Sequence, residues 1–142
     1  EREKKIARLL KKQGAEKVYG VNPKAKISLL SSARSRVSQK GIFSADVVLV
    51  ALEDGDRTEA LLKMGKKVIA IDLNPLSRTP QTASIAIVDN LIRCVPLLTK
   101  AVKKLKKKNP KQLRKIVNDF VNKKYLADML KFIQEKLSDK RA

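Results

Sequence analysis

The chain is predicted to be an α/β protein: a mostly parallel sheet flanked by helices, followed by a C-terminal helical appendage. Three observations predict it. First, "ADVVLVAL" (Ala45–Leu52), "KKVIAIDL" (Lys66–Leu73) and "ASIAIVDN" (Ala83–Asn90) are nearly continuous apolar runs, the pattern of strands buried on both faces. Second, segments with helical spacing alternate with these runs, which places helices on the faces of a parallel sheet. Third, no further strand signal follows Asn90; the rest is amphipathic and lysine-rich.

In order along the chain, "REKKIARLLKKQGA" carries Ile6, Leu9 and Leu10 at helical spacing, with Gly14 placed to end the helix. "EKVYGVN" reads as a short strand over Val18–Val21, closed by Asn22-Pro23. "KAKISLLSSARSRVSQK", Lys24–Lys40, has no clean period and reads mostly as loop. After the Ala45–Leu52 strand, "DRTEALLKMG" reads as a helix over Asp56–Gly65. Asp56 is its N-cap, Glu59 stands at the capping-box spacing, and Gly65 ends it. Two strands follow, joined by "NPLSRTPQT". "LIRCVPLLTKAVKKLKKK" is a helix with Pro96 either in its first turns or kinking it. Asn109-Pro110 breaks the chain. "PKQLRKIVNDFV" and "KKYLADMLKFIQEKL" then form two amphipathic helices, with Leu126, Leu130, Ile133 and Leu137 along one stripe. The expected division is a nucleotide-binding core over 1–108 and a basic helical appendage over 109–142.

Composition narrows the function classes. A length of 142 residues with 43% hydrophobic content suits one folded domain with a real core. No apolar run approaches the roughly 20 residues of a membrane span. "EREKKIARLL" lacks the apolar region of a signal peptide, and the lone Cys94, expected as a buried inert thiol, fits a reducing cytoplasm. The first residue is not Met and already looks helical, so upstream sequence is expected. The net charge of +19 is concentrated from Lys100 onward and raises nucleic-acid binding as a possibility. Against it, aromatic content is 4%, Trp is absent, and no helix-turn-helix, zinc-finger or RNA-recognition pattern occurs. A solvated lysine-rich helical face is the preferred reading.

With no His in the chain, triads, histidine bases and histidine metal ligands are excluded. One Cys makes no structural zinc site, and neither a Walker A pattern nor G-x-G-x-x-G is present. What remains are three polar clusters at strand ends: "EDGDRT", "DLNPLSRT" and "DN". In an open parallel sheet, ligands bind outside the carboxyl ends of the strands, where an acidic group holds ribose and Arg and hydroxyl groups hold phosphate. Asn90 also opens a helix, whose free N–H groups favour an anion. Each cluster alone has a structural reading: Asp56 and Asn90 as caps, Asn74-Pro75 as a turn. Their coincidence at one edge raises a nucleotide site to equal standing with the structural reading.

"SADVVLVALEDGDRTEALLKMGKKVIAIDLNPLSRTPQTASIAIVDNLIR" resembles the archaeal 4-phosphopantoate–β-alanine ligases, or phosphopantothenate synthetases, with "EDGDRTEAL", "DLNPLSR" and "IVDN" in the family's order. "GVNP" and Arg34-Ser35-Arg36-Val37 also look like family positions. The resemblance implies a Rossmann-like core, a cytoplasmic homodimer and a step of coenzyme A synthesis. ATP would activate 4-phosphopantoate as an acyl-adenylate, and β-alanine would displace AMP. Carried over by position, the implied ATP contacts are Asp72, Leu73, Asn74, Arg78, Thr79, Asn90 and Leu91. Asp72 would accept from ribose, and Arg78 with Thr79 would hold phosphate. At Thr79 the family has Ser in some members' pattern, which keeps the hydroxyl. Arg34 and Arg36 are candidates for the 4-phosphate, although a solvated basic loop explains them equally. Asp54, Asp56 or Arg57 are candidates to orient the other reactants. Adenylation needs charge neutralisation and alignment rather than a strong base, which Mg²⁺ and arginines can supply; no protein metal ligand is assigned.

The resemblance spans the family's C-terminal half. The family's N-terminal region, with two further ATP-contacting arginines, has no counterpart here. The chain alone is therefore expected to bind ATP weakly, as a fragment, a truncated member or one half of a split enzyme. The alternative is a truncated or degenerate member whose basic helices bind nucleic acid or another acidic partner; a third is a scaffold that only dimerises.

Overall fold

The fold is taken from a computed structural model, which describes residues 1–31 and 33–139. Helix α1 (Arg2–Lys12) buries only Ala7 and ends as the sequence predicts. Gly14, at φ 93°, lets its own N–H reach the Lys11 carbonyl and the Ala15 N–H reach Leu10. The expected strand over Val18–Val21 does not form. Gly20 turns at φ 101°, and its N–H donates to the Ser38 hydroxyl at 2.7 Å instead of to a neighbouring strand.

The stretch read as loop contains a small hairpin. Strands β1 (Ala25–Lys26) and β2 (Arg36–Val37) pair antiparallel, Ala25 opposite Val37 and Lys26 opposite Arg36. The expectation of mostly loop missed it because the two-residue strands are far apart in sequence and separated by serines. Ala25, Ile27 and Val37 face inward and join the core, while Lys26 and Arg36 face solvent. An irregular helical turn, Gln39–Phe43, leads into the main sheet.

That sheet has three parallel strands in the order β3 (Val47–Val50), β4 (Lys67–Asp72), β5 (Ile85–Val88). Helix α2 (Gly55–Lys63) crosses from β3 to β4, and the short α3 (Arg78–Thr82) lies between β4 and β5. The core is one layer: Val48, Val50, Val68 and Ala70 of the sheet pack with Ala60 and Leu61 of α2, Ala83 after α3, and the hairpin. The predicted α/β class and strand alternation hold.

Burial on both faces holds for β4 but not for β3. Val48 and Val50 are buried, whereas Val47 and Leu49 on the other face are 53% and 52% exposed. β3 is an edge strand, and α4 (Leu91–Leu105) covers the second face only farther along, over β4 and beside Ile87, where Cys94 is buried. Burial pushes the Cys94 thiol up, in keeping with an inert side chain. Pro96 sits in the second turn of an uninterrupted α4 and removes the hydrogen bond to the Ile92 carbonyl, at an exposed residue where water can replace it.

Asn109 and Pro110 start α5 (Pro110–Asp119) with a reciprocal cap: Gln112 N–H donates to Asn109 Oδ1 at 2.9 Å, and Asn109 N–H to Gln112 Oε1 at 3.1 Å. α5 buries none of its residues, and α6 (Asn122–Ser138) buries Leu126. The other members of the predicted stripe, Leu130, Ile133 and Leu137, are progressively more open. α6 is tied to the free edge of β5: Ala86 N–H donates to Asn122 Oδ1 at 2.7 Å, Asn122 Nδ2 donates to the Pro80 carbonyl at 2.9 Å, and Val88 N–H donates to the Tyr125 hydroxyl. Asn122 thus stands in for a missing strand. Asn122→Ala is expected to cost about 2 kcal/mol in urea denaturation, because it leaves a part-buried donor and acceptor unpaired; a loss below about 0.5 kcal/mol would show that water replaces both bonds. No helix among the described residues is long and apolar enough to cross a membrane.

Candidate functional site

The carboxyl ends of all three parallel strands open on one side of the sheet, where a parallel sheet leaves its ligand crevice. Two clefts adjoin there. One, of about 320 Å³, is lined by Leu52 and Glu53 after β3, Asp72 and Leu73 after β4, and Asn90 and Leu91 after β5. The other, of about 300 Å³, is walled by Arg34, Glu53, Asp54, Gly55, Asp56 and Arg78. Glu53 borders both. The first cleft combines carboxylates with exposed leucines; the second is where arginines gather.

The loop after β4 is shaped by its own side chains. The Asp72 carboxylate accepts from the Asn74 N–H at 2.9 Å and from the Ser77 hydroxyl, and Asn74 Oδ1 accepts from the Leu76 N–H at 3.0 Å. These Asx turns fold "DLNPLS" back so that Leu73 stands 68% exposed at the cleft. Asn90 caps α4 by accepting from the Ile92 N–H at 2.9 Å, and its own N–H donates to Asp89 Oδ1 at 2.7 Å. Leu91 opens that helix beside the cleft.

The helix after β3 begins differently from the sequence expectation. Asp54, not Asp56, is the N-cap of α2, accepting from the Arg57 N–H at 3.4 Å. Either carboxylate fits the local pattern; Asp54 wins because its N–H is anchored by Thr79 Oγ1 at 2.8 Å. That hydroxyl in turn donates to Glu53 Oε1 at 3.0 Å, and Thr79 is fully buried. Freed from capping, Asp56 pairs with Arg78 and, at 3.4 Å, with Arg34. Arg34 also binds Asp54 at 2.7 Å, while Arg57 donates to the Arg34 carbonyl at 2.8 Å. Gly55 is required at this crossing, since a Cβ there would lie 2.6 Å from Arg78 Nε and 3.0 Å from Arg78 Cβ.

The structure therefore brings Arg34, Asp54, Asp56, Arg57, Arg78 and Thr79 into one network, and Asp72, Leu73, Asn90 and Leu91 into the neighbouring cleft. Asn74 shapes the loop between them. Arg36 lies on the exposed side of the hairpin and makes no ion pair among the described residues. Glu53, Ser77 and Asp89 were not singled out from sequence. Glu53 could have been, as the first residue of "EDGD", but its position between the clefts depends on Thr79, distant in sequence. Among the described residues there is no group of three or more His, Cys, Asp or Glu side chains that could hold a metal ion.

Arg78, and secondarily Arg34, hold the Asp56 carboxyl below the usual carboxylate range. The sign follows: a lowered pKa makes the bridge favourable above the ordinary carboxylate range, and it is lost only as pH falls through the lowered value. An NMR titration is expected to place the Asp56 midpoint below that of an unpaired Asp, with Arg78→Ala moving it up toward the ordinary value of about 3.9. An unmoved midpoint would mean that Arg78 does not hold Asp56 in solution.

Residues 1–136 match the model of the phosphopantothenate/pantothenate synthetase family. The chain belongs to this family. It is 51% identical, over 93% of its length, to the 4-phosphopantoate–β-alanine ligase of Methanosarcina mazei. With the proteins of that name from Thermococcus kodakarensis and Methanospirillum hungatei it shares 45% and 37% identity, over 97% and 96% of its length. The chain spans about half the length of these curated relatives: 52%, 53% and 54%. The strand-end clefts and the arginine network both lie inside the matched residues.

Proposed function

We propose that the protein is the nucleotide-binding half of an ATP-dependent ligase that joins 4-phosphopantoate to β-alanine, giving 4′-phosphopantothenate, AMP and pyrophosphate. The observation that carries this reading is the pair of adjoining strand-end clefts, one apolar and acidic, the other walled by two arginines paired with carboxylates. ATP spans both. Adenosine lies against Leu52, Leu73 and Leu91, with Asp72 accepting from the ribose, and the phosphates extend toward Arg78 and Arg34. To reach them, the phosphates displace Asp56 from its arginine partners.

The chemistry suits such a site. The carboxylate of 4-phosphopantoate attacks the α-phosphorus, and the bond to the β-phosphate oxygen breaks, releasing pyrophosphate. The β-alanine amine then attacks the acyl carbon; the bond to AMP breaks and the nitrogen loses a proton. The first nucleophile is already ionised, so the protein contributes alignment and positive charge rather than a base, which accords with a chain that has no His. The reading includes a homodimer working in the cytoplasm.

Pyrophosphate release tests it, with ATP and 4-phosphopantoate present and β-alanine added or withheld. The chain is assayed alone and joined to the half of a family-length protein that it does not span. Release by either, dependent on Asp72 and Arg78, is the expected result. Silence from both, with no ATP binding, sinks the ligase reading. Binding of polyphosphate or nucleic acid that collapses as salt rises would instead assign the function to the lysines of Lys100–Lys115.

A further inference from the structure

The sheet is open on one side in a way that identifies what should cover it. Right-handed crossovers place α2 and α3 on the same face, over Val48, Val50, Val68 and Ala70. The strand order β3-β4-β5 runs in one direction only. A parallel sheet built this way is one half of a doubly wound fold: the second half adds strands beyond the first strand and places its helices on the opposite face. Among the described residues no strand lies beyond β3, and on the opposite face α4 packs over β4 but leaves β3 uncovered. The Lys67 N–H donates to the Asp46 carbonyl at 2.9 Å, so alternation turns Val48 and Val50 toward β4. The N–H and C=O groups of Val47 and Leu49 are left on the outer edge, which pairs with no strand among the described residues.

The side chains of the same two residues form the uncovered apolar face, 53% and 52% exposed. α4 adds an exposed stripe at helical spacing, Leu91, Val95 and Val102. A bare apolar edge strand is an aggregation hazard that native proteins cover. The amount of polypeptide available to cover it is stated by the comparison: the curated relatives are about twice as long as this chain.

We infer that the outer edge of β3 and the Val47/Leu49 face are the docking surface for the half of the family-length protein that this chain does not span. That half adds a strand beside β3 and a helix over Val47 and Leu49. Because β3 runs into Leu52 and Glu53, the added strand ends beside the strand-end clefts and supplies their missing wall.

The test is association, measured by analytical ultracentrifugation. The probe is the polypeptide forming the corresponding unmatched half of the Methanosarcina mazei relative. A one-to-one complex is expected, with the β3 amides of Val47 and Leu49 gaining hydrogen-exchange protection. Leu49→Asp is expected to weaken it by about tenfold or more, and Val47→Asp likewise, with the circular dichroism of the free chain unchanged. Lys131→Asp, on exposed α6, should leave it intact. A complex indifferent to both β3 substitutions, or none at all, overturns the inference. So does self-association of this chain that Leu49→Asp abolishes, because the face then belongs to a second copy. No nucleotide or turnover is read, so the ligase reading can fail without affecting this result.

Discussion

Arg78→Ala is expected to lower pyrophosphate release by about 100- to 1,000-fold in the complete enzyme, with little loss of folding stability. The guanidinium lies on the rim of the arginine-walled cleft, 58% exposed, so it contributes little to the core. Its ion pair with Asp56 is a surface pair, of a kind usually worth under about 1 kcal/mol. Its value lies in position: Gly55 lets it cross the start of α2 so closely that even a methyl group would displace it. Gly55→Ala should therefore reproduce much of the Arg78→Ala defect while leaving the arginine in the sequence. Asp56→Asn separates two roles. If Arg78 served only to hold Asp56, the two substitutions would be equally damaging. If it serves phosphate, Asp56→Asn removes a competitor for the guanidinium and is far milder. Arg78→Lys keeps the charge but not the planar fork, and should fall between wild type and Arg78→Ala. Release by Arg78→Ala within about threefold of wild type would remove this residue from the proposed chemistry.

Local signals were legible in the sequence, and contacts between distant segments were not. Gly14 and Gly65 mark helix ends because the left-handed turn that closes each helix is a local event, and both take positive φ, 93° and 79°. The apolar run of β4, the central strand, announced a parallel sheet because both of its faces are covered. Val18–Val21 carried the same residue types but has no neighbouring strand, and a strand without a partner does not persist. For β3 the apolar run was read correctly as strand and wrongly as buried on both faces. An apolar run does not say how many of its faces are covered, and among the described residues only the Val48/Val50 face is. The site divided similarly. Asp72 ends β4, Asn90 follows β5 and Arg78 opens α3 in the loop between them, and all three belong to polar clusters visible in the sequence. The choice between Asp54 and Asp56 as cap was not, since it depends on a hydroxyl of α3 that reaches across from the next crossover.

That hydroxyl carries the second large effect. Thr79→Val is expected to destabilise the protein by about 2 kcal/mol and to disorder the arginine network with it. The two side chains have the same shape, so packing is preserved and the loss is polar. Thr79 Oγ1 accepts from the Asp54 N–H at 2.8 Å and donates to Glu53 Oε1 at 3.0 Å, at a fully buried position. Valine would leave the Asp54 N–H without its partner, costing about 1–3 kcal/mol, whereas Glu53 Oε1, on an exposed residue, keeps the Gly55 N–H at 3.3 Å. The same geometry limits how Thr79 can meet a nucleotide: its hydroxyl is already committed on both sides and has no exposure. Its service to the site is to hold "EDGD" against α3, so that Asp54 caps α2 and Asp56 is left to face the arginines. Thr79→Ser decides between this role and packing, because it restores the hydroxyl and lacks only the methyl. It should recover most of the stability, at a cost of about 1 kcal/mol, and nearly all of the ATP affinity. Urea denaturation and ATP binding measured on both variants give the answer. If Thr79→Val were as stable as wild type and lost only ATP binding, the hydroxyl would be a direct phosphate contact, and the bonds to Asp54 and Glu53 would not be what it is for.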